Sequence, residues 1–241
     1  MVSAIQSFTQ DGGLLPAAHI VDKYEAEDVA AHPLFVRLRA NPVDLRAIWF
    51  LVANTHAGIS PHFVRWLAHT IARIDDRRIA SLMARQLNDE LGNGDCKNIH
   101  SILLDRFVTG LDAWRPRDAR GDLVRPGTLL GARSSALFED ADPYVAVGAL
   151  IVAEIFAKKM DRCLGDEIRR QNAISEDVLT WLTIHEVLEV DHAEDSGSLA
   201  ALVAPRGPSL MSTWRGAIAQ WDALLEFLDG VDALYLTRDT R

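Results

Sequence analysis

Apolar residues recur at the three- and four-residue spacing of an α-helix along almost the entire chain. Runs that alternate apolar and polar positions, as strands do, are scarce. The pattern predicts helices at about 16–31, 42–56, 61–75, 77–91, 95–110, 143–171, 175–203 and 208–229. We therefore expect an all-α protein with a bundle of seven or eight helices.

Two segments interrupt this helical pattern. Residues 112–141 contain Pro116, Pro126 and three glycines, and we predict an irregular loop region there. Residues 230–241 are predicted to be a frayed tail. Since no repeat or linker divides the 241 residues, a single helical domain over 1–241 is expected.

Charge and cysteine content narrow the classes of function. The net charge of −9 opposes binding to phosphate backbones, so we expect no nucleic-acid partner. The two cysteines cannot form a disulfide framework, and the N-terminus lacks the features of a secretory signal. The longest apolar stretch, 144–153, is too short to cross a bilayer. These features predict a cytoplasmic protein without a membrane partner.

Three side chains in the segment WLTIHEVLEVDHAED carry the strongest chemical signal. His185, Glu189 and His192 are spaced i, i+4 and i+7, which places them on one narrow helical stripe. Two imidazoles and a carboxylate on one face can bind a metal ion. The alternative is a solvated polar stripe beside an apolar one.

A further carboxylate, Glu154, lies in the apolar segment VAVGALIVAEIFAKK. An unpaired buried carboxylate is costly, so it must be neutral, paired or bound to a metal. The alternative is a surface ion pair with Lys158 at i+4.

The segment NDELGNGDCKNIH supplies two more candidate ligands, Glu90 and His100. Gly92 and Gly94 allow the backbone to bend between them, and Asp95 can cap the next helix. The alternative is an ordinary helix–turn–helix with solvated polar groups.

Together these segments offer three carboxylates and three imidazoles from four helices. Mixed carboxylate and imidazole ligands favour iron or manganese over metals that prefer thiolates. Di-iron carboxylate proteins build such sites in the cores of helical bundles. A pair of Glu-x-x-His motifs, as in the ferritin-like class, is absent from this sequence.

The order of these motifs resembles the haem-oxygenase-like iron-containing redox enzymes. That family shows an E-x-G-x-G-D segment followed by His, a Glu in a later apolar helix, and then H-x3-D-x2-H. The resemblance spans residues 84–195 and implies the ligand set Glu90, His100, Glu154, His185, Glu189 and His192.

This sequence departs from the family pattern at Glu189, which stands where the family has Asp and is longer by one methylene. Some members also use a carboxylate from the helix before Glu90. Here that helix, 62–75, offers His62 and His69 but no acid before Asp75, so no seventh ligand is assigned.

The resemblance implies a haem-oxygenase-like bundle that holds two Fe(II) ions and uses O₂ as co-substrate. Known reactions of such enzymes include desaturation, ring closure, N-oxygenation and oxidative C–C cleavage. We expect a small-molecule substrate, a free amino acid, in specialised (natural-product) metabolism. The sequence leaves open which reaction follows, whether an external electron donor takes part and whether the protein is a homodimer.

Candidate substrate-binding residues are Arg65 and Lys158, with Lys159 as a further option, since any of them could bind a substrate carboxylate. The large aromatic residues are interpreted as core: Trp49, Phe50, Phe63, Trp66 and Trp181.

Two other interpretations stay open. The first is a metal-free or cofactor-processing bundle enzyme of the thiamin-salvage or quinone-cofactor type, and the second is a non-catalytic helical interaction module. Burial of Glu90 and Glu154 would count against the second.

Overall fold

The computed structural model describes residues 9–10, 13–39, 45–117, 122–171 and 174–239. Within these ranges, the side chains of residues 9, 10, 13, 171, 186–193, 238 and 239 lie outside the description. The described chain is all-α apart from one antiparallel pair of two-residue strands, which confirms the expected fold class.

Ten α-helices form this part of the chain, two or three more than the seven or eight predicted. They are α1 Ala18–Glu25, α2 Pro33–Leu38, α3 Leu45–Ile59, α4 Phe63–Ile71, α5 Arg77–Glu90, α6 His100–Gly110, α7 Arg125–Phe138, α8 Pro143–Gln171, α9 Thr180–Leu202 and α10 Pro208–Asp239. The two strands are β1 Thr9–Gln10 and β2 Gly13–Leu14.

The first predicted helix, 16–31, is divided in the structure. Helix α1 ends at Glu25, a short 3₁₀ turn follows at Val29–Ala31, and α2 begins at Pro33. The ring of His32 accepts a hydrogen bond from the Leu34 backbone N–H and so caps α2. Pro33 is therefore the first residue of a helix. A backbone N–H at that position has no partner within the helix, so proline removes no hydrogen bond there.

The irregular loop predicted at 112–141 is wrong over much of its length, because α7 occupies Arg125–Phe138. Pro126 lies in the first turn of that helix, where proline is tolerated. Gly127 packs so closely that a Cβ atom would lie 2.0 Å from the Asn54 carbonyl oxygen. Gly127 therefore marks a close crossing of α3 and α7 rather than a loop.

The frayed tail predicted at 230–241 is also wrong through residue 239, since α10 continues to Asp239. Val231 and Tyr235 are buried in the core and hold the last turns against the bundle. An amphipathic continuation of this kind is stabilised by packing rather than by intrinsic helix propensity.

The long helix α8 runs through the centre of the fold and packs mainly against α9 and α10. Its N-terminal half is apolar on all sides, and Val145, Val147, Leu150 and Ile151 are fully buried. A helix that is hydrophobic all round lies in the core of a protein or in a membrane. None of the described helices is long and apolar enough to cross a membrane. Glu154 therefore follows directly after the most buried stretch of the chain.

Candidate metal centre

A tight reversal of the backbone brings Glu90 and His100 together. Helix α5 ends at Glu90 and α6 begins at His100. Between them, Gly92, Asn93 and Gly94 have positive φ angles of 78°, 53° and 87°. A Cβ atom at Gly92 would lie 2.8 Å from the carbonyl carbon of Asn98, so only glycine fits there. The reversal places Glu90 Oε1 3.0 Å from His100 Nδ1.

His185 on α9 completes this cluster, and its ring orientation is set by its own helix. Its Nδ1–H donates to the carbonyl oxygen of Trp181 at 2.9 Å. The ring centroid lies 4.0 Å from that of Trp181 and 4.6 Å from that of His100. Because Nδ1 carries the proton of this hydrogen bond, Nε2 of the neutral ring has the free lone pair. This is the usual arrangement of a metal-binding histidine.

The three side chains form a compact set of potential ligands. One ligand atom from each of Glu90, His100 and His185 lies within 4.8 Å of the other two. Three atoms that each lie about 2.1 Å from one ion are about 3.0–3.6 Å from one another, so side-chain rotations that shorten the longest separation by at most about 1–2 Å would close the set around an ion. Two histidines and one carboxylate are the donor set that non-haem Fe(II) oxygenases use.

Burial and hydrogen bonding of the set also fit a bound cation. His100 and His185 are 4% and 8% exposed, and Glu90 is half-buried. His100 Nδ1 is buried and has no hydrogen-bond partner among the described residues, although Glu90 Oε1 is within reach. A buried polar atom without a partner is costly, and a shared metal ion would satisfy both atoms.

Helix α8 adds two carboxylates to the wall of the same cavity. Glu154 is 6% exposed and Asp161 is 1% exposed. They are seven residues apart, so both lie on one face of the helix. Asp161 was not among the predicted ligands, although its spacing from Glu154 was a usable signal.

The structure thus brings four of the six predicted ligands, Glu90, His100, Glu154 and His185, to one cavity. The other two, Glu189 and His192, lie outside the described side chains. The backbone of α9 is helical through both positions. Their role as ligands stays a prediction.

The cavity has a volume of about 110 Å³ and lies between eight of the ten helices. Its wall is mostly apolar and includes three of the aromatic residues that were interpreted as core, Phe63, Trp66 and Trp181. Trp66 stacks on Phe138, with ring centroids 5.0 Å apart. These rings shape the cavity as well as the core.

The predicted substrate-binding cations do not reach this cavity. Arg65 is exposed on α4, and Lys158 Nζ lies 3.1 Å from Glu25 Oε1. Lys159 donates to the backbone oxygens of Glu25 and Glu27. All three are absent from the described cavity wall.

The histidines before Glu90 also lie away from the cavity wall as described. The His62 ring stacks on Trp66, with centroids 5.4 Å apart, and His69 Nε2 lies 3.0 Å from Arg73. Neither residue is among those that line the described cavity.

The profile of the family described as "Iron-containing redox enzyme" matches residues 49–224, almost three quarters of the chain. The chain belongs to this family. The match includes all six residues that the motif comparison nominated as ligands. A search among curated proteins finds no significant match.

Similar solved structures show which fold this member of the family adopts. A TenA homologue from Pseudomonas syringae pv. tomato has a TM-score of 0.68 at 14% identity, covering 91% of this chain and 94% of that one. A CADD-like protein of unknown function from Nostoc punctiforme also has a TM-score of 0.68 at 14% identity, with coverages of 89% and 96%.

A third structure carries the name of the fold. It is a domain of unknown function with a haem-oxygenase-like fold from Shewanella denitrificans, with a TM-score of 0.66 at 12% identity over 91% of this chain and 90% of that one. The protein therefore has a haem-oxygenase-like fold. At these identities the likeness concerns the fold alone.

Proposed function

We propose that this protein is a non-haem di-iron oxidoreductase that uses O₂ to oxidise a small molecule. The observation that carries the proposal is the buried cluster of Glu90, His100 and His185, whose ligand atoms lie within 4.8 Å of one another. Family membership supports iron as the metal. When bound, two Fe(II) ions would supply electrons to O₂ and open coordination positions for it.

The residues of the cluster would divide the work of holding the first ion. Glu90 supplies negative charge, while His100 and His185 supply neutral nitrogen donors. The Trp181 carbonyl oxygen accepts a hydrogen bond from His185 Nδ1–H, which keeps Nε2 free for the metal. Because this contact lies within one helical turn, it orients the ring before any metal is present.

Glu154 is suited to take part in holding both ions. It lines the same cavity from α8, and the helix register of α9 places residues 185, 189 and 192 on one face. The second ion would then be held by Glu154, Glu189 and His192. The longer side chain of Glu189, compared with the family's Asp, changes the reach of that carboxylate by one methylene.

The apolar wall of the cavity serves the chemistry by limiting water. Leu104, Met160 and Phe227 are among the buried residues that line it. A dry site strengthens electrostatic interactions and protects reactive species from side reactions. The desaturation, N-oxygenation or C–C cleavage expected from the sequence would all need such protection.

Anaerobic Fe(II) titration followed by O₂ exposure tests the proposal. We expect two Fe(II) per chain, and O₂ consumption that accompanies oxidation of the bound iron. His185→Ala removes a ligand and is expected to weaken binding at its site by at least about tenfold to a hundredfold. His69→Ala is the matched control, because this exposed histidine lies away from the cavity.

The competing interpretations give different results. A metal-free or cofactor-processing bundle enzyme would bind no stoichiometric iron, and this outcome would overturn the proposal. Iron that binds equally well to wild type and His185→Ala would also overturn it. An interaction module is disfavoured by the burial of Glu154, and it would show no O₂ consumption.

A further inference from the structure

The cavity contains a polar side chain that the metal centre does not use. Gln220 on α10 lines the cavity and is 1% exposed. The hydroxyl of Ser134 on α7 donates to Gln220 Oε1 at 3.0 Å. This bond fixes the carboxamide, so the two N–H groups of Nε2 are the ones left for another partner. The described residues supply no acceptor for them.

A second polar group in the wall is in the same situation. Ser60 follows the end of α3 and lines the cavity. Its Oγ is buried and has no hydrogen-bond partner among the described residues. Buried polar groups are normally paired, so both Ser60 and Gln220 point to a ligand that hydrogen-bonds to them.

The charge of the wall restricts what this ligand can be. The described lining residues include the acids Glu90, Glu154 and Asp161 but neither Lys nor Arg. A carboxylate away from the metal would find no side-chain cation there. The free amino acid expected from the sequence would therefore leave its carboxylate dependent on the metal alone.

We infer that the cavity binds a small molecule that carries no carboxylate and has an apolar body and neutral hydrogen-bonding groups. The apolar wall holds the body, and a carbonyl or hydroxyl group accepts from Gln220 Nε2. Ser60 Oγ forms a second hydrogen bond with the same or another neutral group. The role of this molecule as substrate rests on the proposed function, whereas its binding does not require iron.

A matched pair of six-carbon probes tests this inference on the full-length, metal-free protein. Hexanamide offers a neutral carboxamide, and hexylammonium offers a cation on an unbranched chain with the same number of carbon atoms. Calorimetric titration gives the affinity of each. Hexanamide is expected to bind the wild-type protein through hydrogen bonds to Gln220 and Ser60.

Variants at the two residues give the decisive comparison. Gln220→Met removes the donors at similar length and is expected to weaken hexanamide binding about tenfold, the effect of losing one hydrogen bond at a buried site. Ser60→Ala is expected to weaken it several-fold. Thr213→Val and Thr70→Val are controls, because both hydroxyls are buried and donate within their own helices outside the cavity wall.

Gln220→Glu provides a test that does not depend on tolerance of Gln220→Met. It keeps an acceptor for Ser134, removes the donors and adds a negative charge. We expect weaker hexanamide binding and stronger hexylammonium binding in this variant. Circular dichroism establishes that each variant is folded before titration.

Three results would overturn the inference. They are no measurable hexanamide binding to wild type, equal binding by wild type and all cavity variants, and equal losses in the controls. Failure of the proposed function is a separate result, because it appears as absence of stoichiometric Fe(II) binding. Gln220-dependent hexanamide binding without iron binding would keep the inference and reject the di-iron proposal.

Discussion

At the scale of single residues, hydrogen bonds set the properties of groups that the sequence alone leaves undefined. Asp76 precedes α5, the helix that ends at the candidate ligand Glu90. Its carboxylate accepts hydrogen bonds from the side chain and the backbone N–H of Arg78. The side-chain bond from Arg78, followed by the backbone bond, lowers the pKa of Asp76 to about 2.

We predict that Asp76→Ala lowers the free energy of unfolding by about 1 kcal/mol at neutral pH, the usual effect of losing an N-cap. Since the pKa is lowered in the folded state, the stabilisation is full above the unfolded pKa of about 4. It is lost as the pH falls from there towards 2. Urea unfolding of wild type and variant across this range measures the difference.

Asp75→Ala is the control for this prediction. Asp75 is the neighbouring exposed carboxylate and does not cap α5. We expect the free energy of unfolding of Asp75→Ala to differ from that of wild type by no more than about 0.5 kcal/mol. This difference should not become smaller at low pH, as the difference for Asp76→Ala does. An equal effect in both variants would contradict the capping role of Asp76.

At the scale of helices, the crossing of α8 and α10 depends on two glycines. A Cβ atom at Gly148 would lie 1.9 Å from the carbonyl oxygen of Thr213, and one at Gly216 would lie 1.9 Å from that of Val145. The two backbones therefore touch at a reciprocal pair of positions. This crossing supports the segment of α8 that carries Glu154 into the cavity.

We predict that Gly148→Ala lowers the free energy of unfolding by about 1–3 kcal/mol, because the added methyl group forces the two backbones apart. The gain of up to about 1 kcal/mol in helix propensity does not offset this clash. Thermal and urea unfolding measure the change.

Gly197→Ala on α9 is the matched control, since no atom of the described residues beyond its own helical turn lies within 4 Å of the position that its Cβ would take. We expect this variant to be stabilised by up to about 1 kcal/mol. If Gly197→Ala were destabilised and Gly148→Ala had unchanged stability, the close contact proposed at the crossing would be contradicted.

At the scale of the whole molecule, the candidate metal centre exists only when the bundle is assembled. Glu90, His100, Glu154 and His185 come from four helices, α5, α6, α8 and α9. The unfolded chain does not hold these groups together. A metal that binds only the folded state raises its stability according to the free metal concentration.

We predict that anaerobic Fe(II) at about 100 times its dissociation constant adds about 2.7 kcal/mol per site to the free energy of unfolding. For a protein of this size the melting temperature rises by about 5–10 °C. Differential scanning calorimetry measures the shift, and a chelator added before the scan removes it.

Glu90→Gln is the informative variant for this measurement, because it keeps the size of the side chain and removes its charge. We expect the part of the Fe(II)-dependent shift that comes from the first site to be lost in it. An equal shift in wild type and Glu90→Gln would place the stabilising metal away from the cluster.

Much of this architecture follows from local pattern. Helical periodicity predicted the all-α class, and the end of the helix at Glu90 was expected from Gly92 and Gly94. These features depend on residues close in sequence, so a sequence pattern can reveal them. The cap expected from Asp95 was wrong for the next helix, because Asp95 caps a 3₁₀ turn at Cys96–Asn98 and the helix itself begins at His100. The motifs also nominated the four candidate ligands that line one cavity in the structure.

The features that the pattern misjudged depend on contacts between distant segments. Gly127 and Pro126 resemble loop residues until the backbone of α3 is seen against α7, and the end of α10 is helical because the core covers it. Likewise, nothing near Gln220 in the sequence marks it as a cavity residue. Local spacing can define a helix and the stripe of side chains on it, but the packing of that helix against others determines which side chains meet, which are buried and which face the cavity.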